Sequence, residues 1–222
     1  MGVLGFGGGE GGRSPSSERL NVLEVRAQAE LQGLEALRAQ VRERDEDRRL
    51  LLDASRILKP GAGPKALGQA LFDLCHQPFD LYTFYVALAD YESDLLSFPY
   101  YYEGGKARNL SPDRLSTFNG LTTKAMAAKE SRYYASLEDQ TAVGVVFTEA
   151  ERITGLIPQS WYGVPLACGP GWADRACGLV SFQSFEKGAF SESRRDIMDA
   201  LGALLSLALK AEPALRLDMT ET

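Results

Sequence analysis

Histidine is almost missing from this chain of 222 residues; the one present is His76, two positions before Pro78. With it go most nucleophile–base and general-base pairings. Cysteine is sparse too. Cys75, Cys168 and Cys177 make an odd number with no CxxC pair, so neither a zinc site nor a disulfide framework is indicated. Cys168 and Cys177 read as two small strand residues, with oxidation to a disulfide as the alternative. No apolar run is long enough to span a membrane. The opening MGVLGFGGGEGG has neither the basic n-region nor the apolar h-region of a signal peptide. Phe6 stands where N-myristoylation wants Ser or Thr. No GxSxG, Walker A, HExxH or paired-metal pattern occurs. These absences lead us to expect no enzyme, no metal, no cofactor, no membrane and a cytoplasmic location. Net charge is −6, and from Pro60 onward 20 acidic residues face 14 basic ones. That balance argues against a nucleic-acid surface.

What is present begins with the stretch Ser160 to Phe185, SWYGVPLACGPGWADRACGLVSFQSF. Tyr162, Val164 and Leu166 alternate with Trp161, Gly163 and Pro165. Val180 and Phe182 alternate with Leu179, Ser181 and Gln183. A period of two marks strands with two different faces. GPGWADR between them is rich in turn formers. A helical pattern follows directly, with Ile197, Leu201, Leu204, Leu205 and Ala208 on one broad face. Ser191 is its expected N-cap.

Residues 1–17 are Gly- and Ser-rich and are expected to be disordered. Residues 18–59 contain no proline, one glycine (Gly33), and nine acidic against nine basic residues. A heptad reading places Leu20, Leu23, Ala27, Glu30, Leu34, Leu37, Val41, Arg44, Arg48, Leu51, Ser55 and Leu58 on one seam. Eight of the twelve are apolar, which favours a coiled coil and a homodimer over a solvated helix. Pro60-Gly61-Ala62-Gly63-Pro64 breaks it. Residues 60–211 then read as one domain and 212–222 as a tail. Within the domain, a helix spans 65–76 and strands span 80–90 and 95–103. Residues 106–118 are polar and irregular. A helix from about 120 to 129 precedes a strand over 132–137, and a helical turn is expected near 148–153.

Several of these segments, in this order, resemble the GAF family of small-molecule-binding and dimerising signalling modules. SWYGVPL, ACGLVSFQSF and FSESRRDIMDALGALLSLAL resemble its C-terminal half. YVALADYESDLLSFPYYYEGG resembles its opening hairpin, and NGLTTKAMAAKESRYYASLED its middle helix and strand. The resemblance covers about residues 64–211. It implies an α+β fold, profilin- or PAS-like, with an antiparallel sheet flanked by helices and here preceded by the long coiled-coil helix. It also implies that the first and last helices cover one sheet face. A ligand then sits on the other face, among Tyr85, Tyr100, Tyr102, Glu103, Thr154, Trp161 and Ser181. Aromatic walls with a few polar groups suit a planar or small amphipathic molecule. The alternative is that these aromatics fill the space themselves and the domain only dimerises. Cys75-His76 is similar to a bilin-attachment dipeptide but falls in the first helix, on the wrong side of the sheet. Output would pass to an effector protein in trans. A free methionine sulfoxide reductase on the same fold is the alternative from another class.

Overall fold

The computed structural model describes residues 15–145, 155, 157–168 and 175–210, with side chains from Leu23 onward. The chain divides into two compact units, Met1–Glu46 and Asp47–Thr222.

The first unit is helical. Helix α1 runs from Pro15 to Ile57, so helix begins within the segment expected to be disordered. Proline in a first helical turn forfeits only an amide that has no partner there. Residues 1–14 lie outside the described part. In the first unit Leu23, Leu34, Leu37 and Val41 are each more than half exposed. Arg26 and Glu30, 3.1 Å apart, make an exposed pair one turn apart, a contact worth a few tenths of a kcal/mol.

The second unit takes the last turns of α1 into its core. Leu50, Ala54 and Leu58 are buried there, while Ser55 is exposed and Leu51 half-buried. The heptad seam expected to end at Leu51, Ser55 and Leu58 is therefore corrected. After Glu46 the buried stripe of α1 follows every fourth residue, as a straight helix lying on a domain requires. Pro60 to Pro64 then turns the chain, with Gly61 and Gly63 at positive φ, into α2, Pro64–Cys75.

The remaining elements are β1 Thr83–Asp90, β2 Leu95–Glu103, β3 Lys106–Arg108, β4 Asp113–Arg114, α3 Leu121–Ala128, β5 Arg132–Tyr134, α4 Leu137–Ala142, β6 Ser160–Leu166, β7 Gly178–Ser184 and α5 Glu192–Lys210. The strands form one seven-stranded antiparallel sheet in the order β3-β2-β1-β7-β6-β5, with β4 pairing the far end of β2. The segment expected to be irregular thus supplies two short strands. Leu166↔Gly178 closes the β6–β7 hairpin, and beyond it Cys168 and Cys177 are joined as a disulfide. Two separate strand cysteines were expected; the structure corrects this.

One sheet face meets α2, α5 and the end of α1. Phe84, Val86, Leu88, Val164, Leu166, Val180 and Phe182 point into that core, as their alternation predicts. Helix α5 lies close on β6: a Cβ at Gly202 would come within 2.5 Å of the Val164 side chain. Ser191 caps α5 by accepting from the Arg194 amide at 3.3 Å. Tyr162 donates to the Asp199 carboxylate at 2.8 Å, and Ser131 donates to the same oxygen at 2.6 Å. Burial, and then that carboxylate, push the Tyr162 phenol well above its ordinary pKa. Among the described residues no helix is long and apolar enough to cross a membrane.

The β1–β2 turn carries a testable carboxylate. Asp94 accepts from the Ser116 hydroxyl at 2.6 Å and from its amide at 2.7 Å, tying the turn to the segment after β4. These bonds favour the ionised form, so the Asp94 pKa lies below its ordinary value. A depressed folded-state pKa stabilises above the unfolded value and stops doing so as pH falls through the folded one. In thermal melts, wild type should exceed Asp94→Asn at pH 7, and the gap should close as pH drops below about 4. A gap that persists unchanged into acid would show that the bonds do not depend on the charge.

Candidate functional site

The second sheet face is built differently. Cross-strand pairing lays its residues out in rows. One row reads Lys106, Glu103, Thr83, Gln183, Trp161, Tyr134, and the next Arg108, Tyr101, Tyr85, Ser181, Gly163, Arg132. Polar groups share both rows with aromatic ones: Trp161 and Tyr134 follow four polar residues in the first, and Tyr101 and Tyr85 lie between Arg108 and Ser181 in the second. Farther along, Ala87, Leu96, Leu179 and Ala176 make an apolar floor covered by Leu121, Ala125 and Met126 of α3.

Tyr85 sits at the junction of floor and rows. Its hydroxyl pairs with Thr122 of α3 at 2.8 Å. Its ring stacks on Tyr101 at 5.5 Å with 5° between planes, and meets Phe98 edge-on. Trp161 is 2% exposed and tilts against Tyr134 at 5.8 Å. Its indole lies flat along the strand, where a Cβ at Gly163 would run into the ring. Ser181 lies between Tyr85 and Gly163, fully buried, and accepts from the Gln183 amide at 3.1 Å. Glu103 closes the row with an Arg108 ion pair of 3.1 Å. Thr83 is 3% exposed, and its hydroxyl has no hydrogen-bond partner among the described residues.

Gln140 of α4 is buried and donates to the carbonyls of Pro158 at 3.1 Å and Gln159 at 2.8 Å. It fixes the chain as it enters β6. Ser136 caps α4, accepting from the Asp139 amide at 3.1 Å.

Of the residues expected here, Tyr85, Trp161, Ser181 and Glu103 share this face. Tyr100 and Tyr102 do not. They point to the helix side against Phe72, at ring distances of 5.7 and 4.0 Å. Burial, and then the Asp73 charge, raise the Tyr100 phenol to about 12. The reason is a β-bulge. Leu88 pairs Ser97 but Val86 pairs Tyr100, so Phe98 and Pro99 together face Ala87. One extra residue reverses the alternation beyond it. Tyr101 takes the place that period-two counting gives to its neighbours. Pro99 was the available signal, since proline in a paired strand concentrates at bulges and edges. Thr154 lies outside the described residues, as do the helical turn expected near 148–153 and the tail. His76 stacks on Phe72 at 4.7 Å, on the helix side.

No protein-family model and no curated protein sequence matches the chain. Solved structures do. A GAF sensor protein from Burkholderia vietnamiensis matches at TM-score 0.56 and 16% identity, over 76% of this chain and 98% of that one. The fold is GAF-like. The GAF domain of an Acinetobacter phosphoenolpyruvate-protein phosphotransferase follows at TM-score 0.53 and 15% identity, covering 74% and 90%. Free methionine-R-sulfoxide reductase from Neisseria meningitidis, solved with its substrate, gives TM-score 0.55 and 16% identity, covering 74% and 89%. That last likeness corrects an expectation. The lack of a nucleophile–base pair does not exclude catalysis, because this GAF-like fold also occurs as an enzyme.

The packing of Trp161 gives a direct check on the geometry of the face. Gly163→Ala should displace the indole, red-shifting Trp161 emission in a Trp172→Phe background and costing about 1–3 kcal/mol by urea unfolding. Unchanged emission and stability would mean that the ring does not lie over Gly163.

Proposed function

We propose that the chain is a GAF-type regulatory module that binds a small molecule on the Tyr85–Trp161 face. We further propose that it pairs with a second copy through α1 and acts through an effector protein in trans. One observation carries the ligand reading. The two faces of the sheet differ in polarity: the one under α2 and α5 buries Phe84, Val86, Val164, Val180 and Phe182, while the other sets Tyr101, Tyr85, Trp161 and Tyr134 beside Thr83, Ser181 and Gln183. Flat aromatic walls with a few polar groups between them suit a planar or small amphipathic ligand. Native mass spectrometry of the purified full chain should show a bound mass above that of the polypeptide. Tyr85→Ala should lose that mass while the protein remains folded by circular dichroism. Retention of the mass in Tyr85→Ala would move the site elsewhere.

The pairing reading rests on α1. Leu23, Leu34, Leu37 and Val41 follow heptad spacing and are 54–61% exposed. Apolar side chains in that pattern gain about 25 cal/mol per Å² when they leave water. In sedimentation equilibrium the full chain should be a dimer and Leu37→Lys a monomer, with helical content kept at high concentration. Dimerisation unaffected by Leu37→Lys would place the interface off this seam.

A second reading is a redox enzyme of the methionine-R-sulfoxide reductase type. The fold likeness and the joined Cys168 and Cys177 favour it. Both cysteines pack with the helix-side core, so a sulfoxide would have to reach the loop end of the β6–β7 hairpin and not the Tyr85 face. Turnover of free methionine-R-sulfoxide with dithiothreitol, abolished by Cys168→Ser, would establish it. No turnover above background would remove it.

A further inference from the structure

The Cys168–Cys177 pair occupies a junction. Its Cα atoms are 5.8 Å apart, at the loop end of the β6–β7 hairpin. Cys168 is 3% exposed, whereas Cys177 is only half-buried. The residues beside the pair are tied to three separate elements. The Ala167 amide donates to Ser206 of α5 at 3.1 Å, and Ser206 donates in turn to Gly202 at 2.8 Å. The Ala176 carbonyl accepts from the Tyr91 hydroxyl in the β1–β2 turn at 2.8 Å, and Arg175 lies over the same ring at 4.7 Å. The Cys177 carbonyl accepts from the Ala89 amide of β1 at 2.9 Å.

The sulfur environment serves both oxidation states. The Cys168 amide points at the Cys177 sulfur at 3.1 Å, a contact open to either state. That sulfur also lies 3.2 Å from the Leu166 carbonyl. A disulfide sulfur carries no hydrogen, so only a thiol can use that carbonyl. The reduced form therefore has an acceptor for the Cys177 thiol within reach, the Leu166 carbonyl that also accepts the Cys177 amide at 3.0 Å.

We propose that Cys168–Cys177 is a reversible redox site: a clasp that a dithiol reductant opens, loosening the hairpin end from α5. A thiolate of the dithiol attacks the accessible Cys177 sulfur. The Cys168–Cys177 bond breaks, Cys168 leaves as a thiolate and takes up a proton, and a mixed disulfide forms on Cys177. The second thiolate of the dithiol attacks its own sulfur in that mixed disulfide and releases Cys177 as a thiolate, which is protonated. Two electrons pass to the protein, and the dithiol becomes a cyclic disulfide. An oxidised disulfide of the same class runs the sequence backwards. In a reducing compartment such a pair is a regulated state and not a permanent staple. The site needs nothing bound on the Tyr85 face, so its failure would leave the ligand reading standing.

The test uses the whole 222-residue chain equilibrated in dithiothreitol buffers of graded redox ratio, trapped by alkylation and read by peptide mass spectrometry. The pair should titrate reversibly between disulfide and dithiol. Oxidised glutathione added to the reduced protein should be trapped first on Cys177. Hydrogen exchange of the two states should differ, with amides of 166–168, 176–178 and the Ser206 turn exchanging about tenfold faster when reduced. Amides of β1 near Tyr85 and of α3 should not change. A Cys168→Ser, Cys177→Ser protein should reproduce the reduced pattern; if it does not fold, the wild-type titration decides alone. A bond that resists the reductant in the folded protein, that never re-forms, or that opens with no change in exchange at α5 overturns the proposal. Glutathione trapped first on Cys168 overturns the assignment of the attacked sulfur.

Discussion

The pairing of β1 with β7 is the constraint on which the structure depends. These strands are separated by nearly half the chain, yet they run in unbroken register from Thr83↔Gln183 to Leu88↔Gly178. That register decides the direction of every side chain at the centre of the sheet. A slip of β7 by one residue would send Val180 and Phe182, both fully buried, to the opposite face, and would put Ser181 and Gln183 under the helices. Burying apolar side chains of that size is worth roughly 1.5–3 kcal/mol each, so the slip is strongly disfavoured. The helices and the polar-aromatic face both follow from this one ladder.

The consequence is a division of labour between two faces. On the helix side, Leu201, Leu205 and Met198 fill space against the strands, and Asp199 gathers two hydroxyls that fix α5 to β6 and to Ser131, just before β5. On the other side an apolar floor under α3 gives way to stacked rings and paired polar groups, with one buried hydroxyl, Thr83, left over among the described residues. An unsatisfied buried polar group costs free energy, and its position among Glu103, Gln183 and Tyr101 places that cost where a ligand is proposed. The disulfide belongs to the first side. Redox change and ligand binding would then reach the molecule from opposite faces of the same two strands.

Much of this was legible in the sequence because burial here follows a short period. Trp161, Gly163 and Pro165 against Tyr162, Val164 and Leu166 give the faces of β6 without ambiguity, and β7 repeats the pattern. The ordered segments also gave the GAF-like fold. Three things were hidden. The bulge at Phe98–Pro99 inverts β2, so Tyr101 replaces Tyr100 and Tyr102 on the polar face, and only the proline hinted at it. The end of α1 keeps enough leucines, Leu50, Leu51, Leu52 and Leu58, to satisfy a heptad seam and a core stripe equally; tertiary contact with the domain chooses between them. The joining of Cys168 and Cys177 depends on strand register, which spacing in the sequence does not set.

Adjacent residues on β2 offer the most direct test of the two-faced account. Tyr101→Ala and Tyr102→Ala remove the same side chain from neighbouring positions. Native mass spectrometry and thermal melting of both variants of the whole chain should separate them. The account predicts that Tyr101→Ala loses the bound small molecule with a modest change in melting temperature, while Tyr102→Ala keeps it and melts clearly lower. Loss of the bound mass from Tyr102→Ala but not from Tyr101→Ala would contradict it.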